Sequence, residues 1–498
     1  MLSKIISPLL IANRGEIAVR VIRACRALGI RCVAMYSQAD AGAMHTRLAD
    51  EAIEIGPAEA GLSYLNIERV LNAAKRSGAR AVHPGYGFLA ENADFADAVL
   101  AAGLTWVGPP AAAMRAMGDK AGARALMQKA GVPVLPGYHG NDDAASLKKA
   151  AGEIGYPLLV KAAAGGGGMG QRVVNAAGEL AEAIDSARRE AKHAFGDERL
   201  ILEKYLPRAR HVEFQVLGDQ HGELLHLFER ECSLQRRRQK VVEESPSPLL
   251  DEKLRDEMGA AAVAAAAAVD YVNAGTVEFL VDPESRQFYF LEMNTRVQVE
   301  HPVTEMITGI DIVQWQLRLA AGEKLTFDQS DVKSSGHAIE SRIYAEDAAA
   351  GFLPQAGRVL KLLLPGNLVR VDAGVAEGDE VGSYYDPLLA KLIVHGKDRA
   401  DAFTRMQQAL KKTAFLGLTT NIEFLQDVLA HKDVQAGNYD TRFIEREFSD
   451  WSGSGKLPAE VLAAAALAEV GTAQEGEAEG GDRYSPWAAG SGFRMGER

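Results

Sequence analysis

The sequence predicts a mixed architecture that is α/β at the amino end and α+β beyond it. The first 115 residues alternate strand-like and helix-like segments, which is typical of a parallel sheet with helices on its faces. From there to about residue 330, strands of alternating polarity dominate. Short strands with Gly and Pro turns follow to about residue 446. The length of 498 residues also fits about three domains.

The overall composition excludes several classes of protein. Apolar residues make up 47% of the chain, and the net charge of −12 argues against a nucleic-acid-binding surface. Cys25, Cys32 and Cys232 form no metal or disulfide pattern, which indicates a reducing compartment and predicts a cytoplasmic protein. The start of the chain resembles a first strand rather than a signal peptide. The alanine-rich run at 260–269 is too short to span a bilayer, so we expect a buried helix and no membrane partner.

The first region reads as strand, helix and strand. Leu9–Ala12 is strand-like, and a helical pattern begins at Gly15 and ends at Gly29. The next strand covers Arg31–Tyr36. No GxGxxG motif follows the first strand, so the sequence does not predict a dinucleotide site. The run His83–Asn92 is rich in turn-forming residues and precedes a helix, and its residues alone favour a tight structural turn.

A glycine-rich segment separates two predicted strands of the second region. The strand Tyr156–Lys161 ends in a lysine, the segment 162–170 contains four consecutive glycines, and Arg172–Val174 forms the next strand. The order strand, loop, strand differs from a Walker A site. The segment is either a flexible hairpin tip or a lid whose N–H groups close over an anion. Lys161 at its base favours a phosphate lid, which would also exclude water.

A cationic cluster at Glu231–Lys240 stands out in this acidic protein. It contains three consecutive arginines and is either a solvated charge run or a loop that holds an anion. Glu243 and Glu244 follow closely, and we expect them to neutralise part of its charge.

The stretch Glu292–Pro302 carries the strongest functional signal. Read with a period of two, one side of an extended strand would carry Glu292, Asn294, Arg296, Gln298 and Glu300. Alone, this pattern is equally a solvated strand face. Two strands, Asn273–Val281 and 287–292, flank a turn-forming loop and predict a β-hairpin that places Glu278 opposite Phe290 or Glu292. Two carboxylates in apolar strands repel each other unless a cation lies between them, so we predict an all-oxygen site for Mg²⁺ or Mn²⁺.

The third region predicts a closing α+β domain. In the strand 336–344, one face carries Glu340, Arg342 and Tyr344. A helix is expected over about 399–412.

Motifs dispersed over about residues 5–446 share one resemblance. They are Ile11–Ile17 (IANRGEI), His83–Asn92 (HPGYGFLAEN), Met117–Lys120 (MGDK), Arg210–Glu213 (RHVE), Glu292–Pro302 (EMNTRVQVEHP) and Tyr385–Pro387 (YDP). With them the chain resembles the biotin carboxylase component of biotin-dependent carboxylases, a branch of the ATP-grasp superfamily. The implied domains are an N-terminal Rossmann-like (pre-ATP-grasp) domain at 1–115, an ATP-grasp domain at 116–330 with a mobile lid at about 133–203, a C-terminal biotin carboxylase domain at 331–446, and a linker with the start of a truncated downstream domain at 447–498.

The resemblance implies an ATP-dependent ligase. ATP phosphorylates bicarbonate to carboxyphosphate, and the carboxyl group passes to N1′ of biotin on a carrier domain. Phosphoryl transfer of this kind needs cations that bridge phosphates, in-line positioning and a sequestered site. The residues that match the family's ATP-binding positions are Lys120, Lys161, Gly167, Gly168, Glu203, Lys204, Leu206, His211, Gln235, Arg238, Glu278, Leu280 and Glu292.

The resemblance also implies which residues carry the chemistry. The metal would be held by Glu278, Glu292 and Asn294, and bicarbonate by Lys240, Arg296, Gln298 and Val299. Glu300 would be the base that deprotonates bicarbonate, and Arg342 would bind biotin and stabilise its enolate. The expected catalytic residues are therefore Arg296, Glu300, Arg342 and Lys240.

Two places depart from the family's pattern. Arg238 stands where the family usually has a histidine near the nucleotide phosphates, and an arginine can still donate to phosphate but is always charged. In the glycine segment, Ala164 and Met169 stand where relatives often have polar or basic residues. These changes would weaken phosphate contacts or slow lid closure, and we expect activity to survive both.

The end of the chain carries a narrower resemblance. Tyr138–Asp142 and the segment 484–495 look like the α subunit of methylcrotonyl-CoA or geranyl-CoA carboxylases, where a Ser-Pro-aromatic run opens a domain that links to the carboxyltransferase (β) subunit. The Ala-Met-Lys-Met biotin-attachment motif does not occur, so we expect biotin to be a carrier-borne substrate. The chain is then either a fragment or works with a separate carrier. Its last part contains an alanine-rich helical patch at 459–470 and an acidic, disordered segment at 474–482.

Two other functions stay open at this point. Another ATP-grasp ligase, of the carbamoyl-phosphate or purine-pathway type, shares carboxyphosphate-like chemistry but has no need of Arg342 or of the Glu300-His-Pro continuation. A catalytically impaired scaffold that docks a carrier or a partner subunit is compatible with Arg238 and with the altered glycine segment.

Overall fold

A computed structural model describes residues 5–138, 140–162, 171–195, 197–366 and 369–453 of the chain. It confirms the predicted combination of α/β and α+β folds. Residues 163–170 of the glycine segment, among them Ala164, Gly167, Gly168 and Met169, lie outside the described residues, as do the predicted helical and acidic parts of the tail.

The first region folds around a five-stranded parallel sheet with the strand order β3-β2-β1-β4-β5. Its strands are apolar on both faces because helices cover both: Leu9 and Ile11 belong to one core, and Leu10 to the other. The elements are β1 (Leu9–Ile11), α1 (Gly15–Ala27), β2 (Cys32–Ser37), α2 (Met44–Leu48), β3 (Glu51–Gly56), α3 (Ile67–Ser77), β4 (Ala81–His83), α4 (Ala93–Ala101), β5 (Thr105–Trp106) and α5 (Ala111–Gly118). Short 3-10 turns cover Gln38–Asp40 and Ala60–Leu62.

The predicted turn before α4 has a structural reason. The Asn92 side chain accepts a hydrogen bond from the Phe95 N–H and so caps the first turn of the helix. Further back in the run, Asn13 Nδ2 donates 2.7 Å hydrogen bonds to the carbonyl groups of Pro84 and Tyr86. The run His83–Asn92 is therefore fixed to the loop that follows β1.

The second region begins with α6 and a small antiparallel sheet in the order β6-β9-β7-β8. This sheet and its helices have a core of their own, which includes Leu147, Val160 and Leu202. The elements are α6 (Lys120–Lys129), β6 (Gly137–Tyr138), α7 (Ala144–Ile154), β7 (Leu158–Ala162), β8 (Arg172–Val174), a 3-10 turn (Ala177–Glu179), α8 (Leu180–Phe195) and β9 (Leu200–Lys204).

A large eight-stranded sheet follows in the order β14-β13-β10-β11-β12-β15-β22-β20. Its strands come from both sides of residue 330, so the predicted second and third regions share one sheet. The elements up to that residue are β10 (Arg210–Gly218), β11 (Leu224–Arg236), β12 (Gln239–Ser245), α9 (Glu252–Ala267), β13 (Asn273–Val281), β14 (Phe288–Asn294), α10 (His301–Thr308) and α11 (Ile312–Ala320).

The remaining elements add three strands, β15, β22 and β20, to one end of the large sheet and cover it with helices. A core that includes Ile343, Leu392 and Phe424 joins them. They are β15 (His337–Tyr344), β16 (Glu346–Asp347), β17 (Leu353–Pro354), β18 (Gly357–Arg358), β19 (Lys361–Leu363), β20 (Arg370–Ala373), β21 (Glu380–Val381), β22 (Leu388–Gly396), α12 (Arg399–Lys411), β23 (Ala414–Leu416), α13 (Ile422–Ala430), α14 (Lys432–Gln435) and α15 (Phe443–Glu447).

The alanine-rich run lies in α9, as predicted. Met258, Ala262 and Ala266 are buried, so one side of the helix packs against the large sheet. In the described part of the chain, every helix is too short or too polar to cross a bilayer.

Two local predictions are wrong. The extended strand does not run to Glu300: β14 ends at Asn294, and the chain then turns inward. Thr295, Val297 and Gln298 are all buried, so the alternation between a polar and an apolar face stops there. The period-two pattern was a false guide because alternating polarity does not show whether the chain stays extended.

The cationic cluster is also not a loop. β11 continues to Arg236 and β12 begins at Gln239, which leaves Arg237 and Arg238 as a two-residue turn. Both have positive φ angles, 48° and 69°, as in the tight turns that match the twist of a hairpin. The direct ion pairs of Glu243 and Glu244 lie outside this cluster: Glu243 pairs with Arg342, and Glu244 with His337 and Arg399. Within the cluster, the charge of Lys240 acts on Glu243 and opposes the effect of burial, which raises the pKa of its carboxyl.

Candidate active site

Lys240 is the centre of a buried charge cluster. Its Nζ donates hydrogen bonds of 2.5 Å to Glu213, 2.9 Å to Glu278 and 2.6 Å to Glu300. Burial by itself would lower the pKa of this ammonium, but the three carboxylates outweigh it and raise the pKa well above its usual range. Lys240 is therefore a permanent cation that holds three strands and one loop together.

The predicted hairpin places two carboxylates side by side. Glu278 on β13 lies directly opposite Glu292 on β14. Glu278 also accepts from Asn294 Nδ2 at 2.8 Å and forms a 2.9 Å ion pair with His211 Nε2. Burial opposes ionisation of Glu278, but the charges of Lys240 and His211 outweigh it and lower the pKa of the carboxyl. Glu278 is therefore ionised and shared among several donors.

Glu292 has the opposite electrostatic environment. Burial raises the pKa of its carboxyl, the negative charge of Glu278 raises it further, and the charge of Lys120 opposes both. A cation placed between the two glutamates would relieve this repulsion. The oxygen atoms of Glu278, Glu292 and Asn294 are the ligand type that Mg²⁺ and Mn²⁺ prefer, so the donor set fits a hard divalent cation.

The segment after β14 brings further polar groups to the cluster. Arg296 Nη1 donates to Gln298 Oε1 at 2.8 Å, and Gln298 Nε2 donates to Glu278 Oε1 at 3.2 Å. Arg296 also forms a 3.2 Å ion pair with Glu91. Arg296 therefore links the cluster to the run His83–Asn92, which the sequence favoured as a purely structural turn.

Glu300 lies between two cations. One carboxylate oxygen accepts from Lys240, and the other accepts from Arg342 Nη2 at 2.9 Å. Arg342, on β15, is held from its other side by Glu243, whose Oε1 accepts from Nε at 2.6 Å. Burial opposes the charge of Glu300, but Lys240 and Arg342 outweigh it and lower the pKa of the carboxyl well below its usual range. Glu300 is therefore ionised before any substrate arrives.

Sequence reasoning missed the pair behind Lys240. Arg230, which has no solvent exposure, donates to Glu213 at 2.6 Å and to Gln215 and Thr304 at 2.9 and 3.0 Å. Burial and the charge of Glu300 raise the pKa of Glu213 to about 7. The period-two spacing of His211 and Glu213 on β10 was a usable signal for Glu213. The sequence contains no such signal for Arg230, because an arginine in an alternating strand normally points to solvent.

The other predicted ATP-binding residues lie around this cluster or on the smaller sheet. Lys120 is exposed at the first position of α6. Gln235 is buried, with its Nε2 3.4 Å from His211 Nδ1, and Leu280 pairs in register with His211. Lys161 on β7 and Glu203 on β9 form an ion pair, Lys204 donates to the Tyr156 carbonyl at 3.0 Å, and Leu206 is half-buried after β9.

Arg238 lies in the β11–β12 turn and contacts the residue that follows the glycine segment. Its Nη2 donates to Gln171 Oε1 at 2.7 Å, and Gln171 is the first described residue after that segment. Arg238 therefore joins the β11–β12 turn to the residue just before β8.

Direct contacts connect one group of the predicted site residues. Its members are His211, Gln235, Lys240, Glu278, Glu292, Asn294, Arg296, Gln298, Glu300 and Arg342. Val299 precedes Glu300 in the chain, and its carbonyl group accepts a hydrogen bond from Lys391. A buried set of alternating cations and carboxylates beside an all-oxygen pair is suited to binding polyphosphate with a divalent cation and to moving a proton from a small anion.

Family models match nearly the whole described chain. A model for the biotin carboxylase N-terminal domain matches residues 5–114, one for the ATP-binding domain of the carbamoyl-phosphate synthase L chain matches 119–327, and one for the biotin carboxylase C-terminal domain matches 340–446.

Named relatives agree with these models. The mitochondrial alpha subunit of methylcrotonoyl-CoA carboxylase from Arabidopsis thaliana is 51% identical over 458 residues, which are 91% of this chain and 62% of that protein. The same subunit from Glycine max is covered over 61% of its length, so the chain spans about three fifths of these relatives. Biotin carboxylase 1 of Bacillus subtilis is 50% identical over 445 residues, which are 88% of this chain and 98% of that protein.

Solved structures show the same fold. The biotin carboxylase domain dimer of 2-oxoglutarate carboxylase from Hydrogenobacter thermophilus, in complex with MgADP, ADP and bicarbonate, has a TM-score of 0.82 and 47% identity, with 89% of this chain and 98% of that chain covered. A biotin carboxylase–beta-gamma-ATP complex from Campylobacter jejuni has a TM-score of 0.83 and 45% identity, with 88% of this chain and 98% of that chain covered.

Proposed function

The chain belongs to the biotin carboxylase family, and on that premise we propose that it catalyses the ATP- and bicarbonate-dependent carboxylation of biotin through carboxyphosphate. It would thus be an ATP-dependent ligase. The observation that carries the proposal is the position of Lys240, whose ammonium contacts Glu278, a ligand candidate for the metal, and Glu300, the candidate base. One side chain therefore links the nucleotide end of the site to the bicarbonate end.

The hairpin β13–β14 is suited to hold the metal that accompanies ATP. Glu278, Glu292 and Asn294 would bind Mg²⁺ or Mn²⁺, which supplies charge neutralisation for the phosphates when bound. Lys120 and His211 flank this position, and Lys161, which pairs with Glu203 on the smaller sheet, would bind the nucleotide. The wider ATP-binding set is the one given by the family positions, including Gln235, Arg238, Leu280, Glu203, Lys204, Leu206, Gly167 and Gly168.

The bicarbonate end uses the turn after β14. Lys240 and Arg296 would pair with the anion, and Gln298 with the Val299 backbone would orient it. Glu300 would take the proton of bicarbonate, whose oxygen then attacks the γ-phosphorus of ATP while ADP leaves. Lys240 and Arg342 lower the pKa of Glu300 against the effect of burial and so keep its carboxylate ionised, which a proton acceptor requires.

Arg342 would serve the last step. Its guanidinium contacts Glu300 and is always charged, so it can stabilise the enolate of biotin next to the position where the carboxyl group is released. Biotin would be a substrate presented by a carrier domain and not a group attached to this chain.

We further propose that the chain acts as the biotin carboxylase part of a carboxylase of the methylcrotonoyl-CoA type. Its identity of 51% to the Arabidopsis thaliana alpha subunit supports this assignment. The partners would be a biotin carboxyl carrier domain and a carboxyltransferase (β) subunit. We also propose domain boundaries at about residues 115, 330 and 446. We propose a reducing, cytoplasmic location as well, which the three free, buried cysteines support.

The proposal is tested by ADP release from the purified chain with ATP, Mg²⁺, bicarbonate and free biotin. We expect a rate that requires bicarbonate and rises when biotin is added. Another ATP-grasp ligase would give bicarbonate-dependent ADP release that biotin does not affect. A scaffold would release no ADP, and calorimetry would detect neither ATP nor Mg²⁺ binding; either result contradicts the proposal.

A further inference from the structure

Lys391 lies in the large sheet, yet none of the steps above uses it. It sits on β22, opposite Arg342 of β15 on one side and Asp372 of β20 on the other. Its side chain has no solvent exposure. A buried lysine is costly unless other groups compensate its charge and bind its protons. Its contacts therefore deserve a functional explanation.

The first contact reaches the bicarbonate turn. Lys391 Nζ donates a 2.5 Å hydrogen bond to the carbonyl oxygen of Val299. That carbonyl and the N–H of Glu300 belong to one planar peptide group, so the bond fixes the direction in which the backbone enters Glu300. The same turn is held at its other end by His301 Nδ1, which lies 2.8 Å from the Gln298 carbonyl.

The second contact reaches the amino-terminal region. Lys391 Nζ lies 3.4 Å from Glu16 Oε1, and Tyr86 donates its hydroxyl hydrogen to the same oxygen. Glu16 is in the first turn of α1 and is buried. Tyr86 belongs to the run His83–Asn92, which Asn13 fixes in place.

Close packing keeps Glu16 against the large sheet. A Cβ atom at Gly374, just after β20, would lie 2.4 Å from the Glu16 nitrogen and 2.7 Å from the Gly15 carbonyl carbon. Only glycine allows so close an approach. The first turn of α1 and the end of β20 are thus in direct contact, and Glu16 has little freedom to leave Lys391.

We propose that Lys391 is a positioning residue for bicarbonate, and that Tyr86, Glu16 and Lys391 form a relay from the amino-terminal region to the Val299–Glu300 peptide. The relay sets the backbone that presents Glu300 and Val299 to the anion. This inference rests on the proposed function, because it assigns a role only relative to the bicarbonate site. It follows that Lys391, which would contact no substrate, affects the use of bicarbonate but not of ATP or biotin.

Charge compensation alone is the competing explanation. Burial opposes the charge of Lys391, but Glu16, Glu340 and Asp372 outweigh it and raise the pKa of the ammonium. If Lys391 only balances these carboxylates, removing it together with one of them should leave bicarbonate binding unchanged. If Lys391 positions Val299, the double change should still impair bicarbonate binding, because the hydrogen bond to the Val299 carbonyl is lost.

The test compares Lys391→Met with the double variant Glu16→Gln/Lys391→Met, which removes one positive and one negative charge. ADP release gives kcat and the KM of bicarbonate, ATP and biotin separately, and thermal unfolding reports stability. We expect the bicarbonate KM to rise at least about tenfold in both variants, as for loss of a charge-assisted hydrogen bond, and the ATP KM to stay within about twofold. If Lys391→Met does not fold, the charge-balanced double variant still carries the test.

A matched control is Arg255→Met, which removes a 2.9 Å ion pair with the buried Glu229 away from the turn. It should lower stability and leave the bicarbonate KM unchanged. A double variant with a wild-type bicarbonate KM overturns the relay and leaves charge balance as the role of Lys391. A wild-type chain without bicarbonate- and biotin-dependent ADP release overturns the proposed function itself, and the inference with it.

Discussion

Lys240 donates a 2.6 Å hydrogen bond to Glu300, a residue 60 positions further along the chain. The two charges neutralise each other where a base and an anion site are proposed. Bicarbonate must therefore compete with Glu300 for the ammonium, and as it binds, the carboxylate loses part of the interaction that lowers its pKa. The pair keeps the base ionised at rest and makes it more basic when the substrate is present.

Replacing Lys240 should abolish this arrangement. In Lys240→Met we expect bicarbonate-dependent ADP release to fall at least about 100-fold, since one preorganised charged donor is lost from a buried site. Stability should fall too, because three carboxylates lose their shared cation. Lys253→Met is the control. Among the described contacts, the only ion pair of Lys253 is an exposed one with Glu257, at 3.8 Å, so the activity of this variant should match wild type. Equal activity of both variants would contradict the role of Lys240.

The metal site predicts a dependence on Glu292. Glu292→Gln should weaken Mn²⁺ binding in the presence of ATP at least about tenfold, because one carboxylate ligand is replaced by an amide. Since the pKa of Glu292 is raised, protons compete with the metal, and wild-type affinity should fall as the pH is lowered. Electron paramagnetic resonance of free Mn²⁺ measures both effects. The exposed Glu284 in the turn of the same hairpin gives the control Glu284→Gln, which should bind as wild type does.

Acid stability should depend on Glu244. Burial opposes its charge, but His337 and Arg399 outweigh burial and lower the pKa from 4.5 to about 2. The folded state therefore releases this proton more readily than the unfolded chain. The resulting stabilisation, about 3 kcal/mol, is present above pH 4.5 and is lost as the pH falls toward 2. In denaturant unfolding, Glu244→Gln should be less stable than wild type at neutral pH, and the difference should vanish near pH 2; a constant difference would contradict this assignment.

Arg238 should be tolerated at a position where a histidine is usual in the family. The guanidinium already reaches Gln171 beside the glycine segment and can donate to a phosphate. We expect Arg238→His to change the ATP KM and kcat by no more than about threefold. A rise from undetectable ADP release to a normal rate would instead identify Arg238 as the cause of an inactive protein.

Local pattern was sufficient where neighbouring strands are joined by a short turn. The β13–β14 hairpin could be predicted because alternation and a turn-forming loop fix its register, and with it the pair Glu278 and Glu292. The same pattern failed after Asn294, because a period of two records polarity and not whether the chain stays extended. The segment 295–300 turns inward to reach partners that are distant in sequence.

Long-range pairing decided the rest of the site. Lys240 and Arg342 meet at Glu300 because β12 lies next to β15 in the large sheet, and no local signal gives that strand order. The burial of Arg230 and Lys391 could not be predicted from the sequence, for a different reason. A charged residue in a strand is normally solvent-exposed, and only the assembled sheet shows that both are buried and fully engaged.

The most direct test of the central proposal follows the carbon atom of bicarbonate. The chain is incubated with ¹⁴C-bicarbonate, ATP, Mg²⁺ and biotin, and acid-labile carboxybiotin is separated and counted. We predict labelled carboxybiotin that forms only with ATP, and a loss of at least about 100-fold in Glu300→Gln, which keeps the shape of the side chain but cannot take the proton. A folded wild-type chain that binds ATP and Mg²⁺ yet transfers no label to biotin would contradict the account.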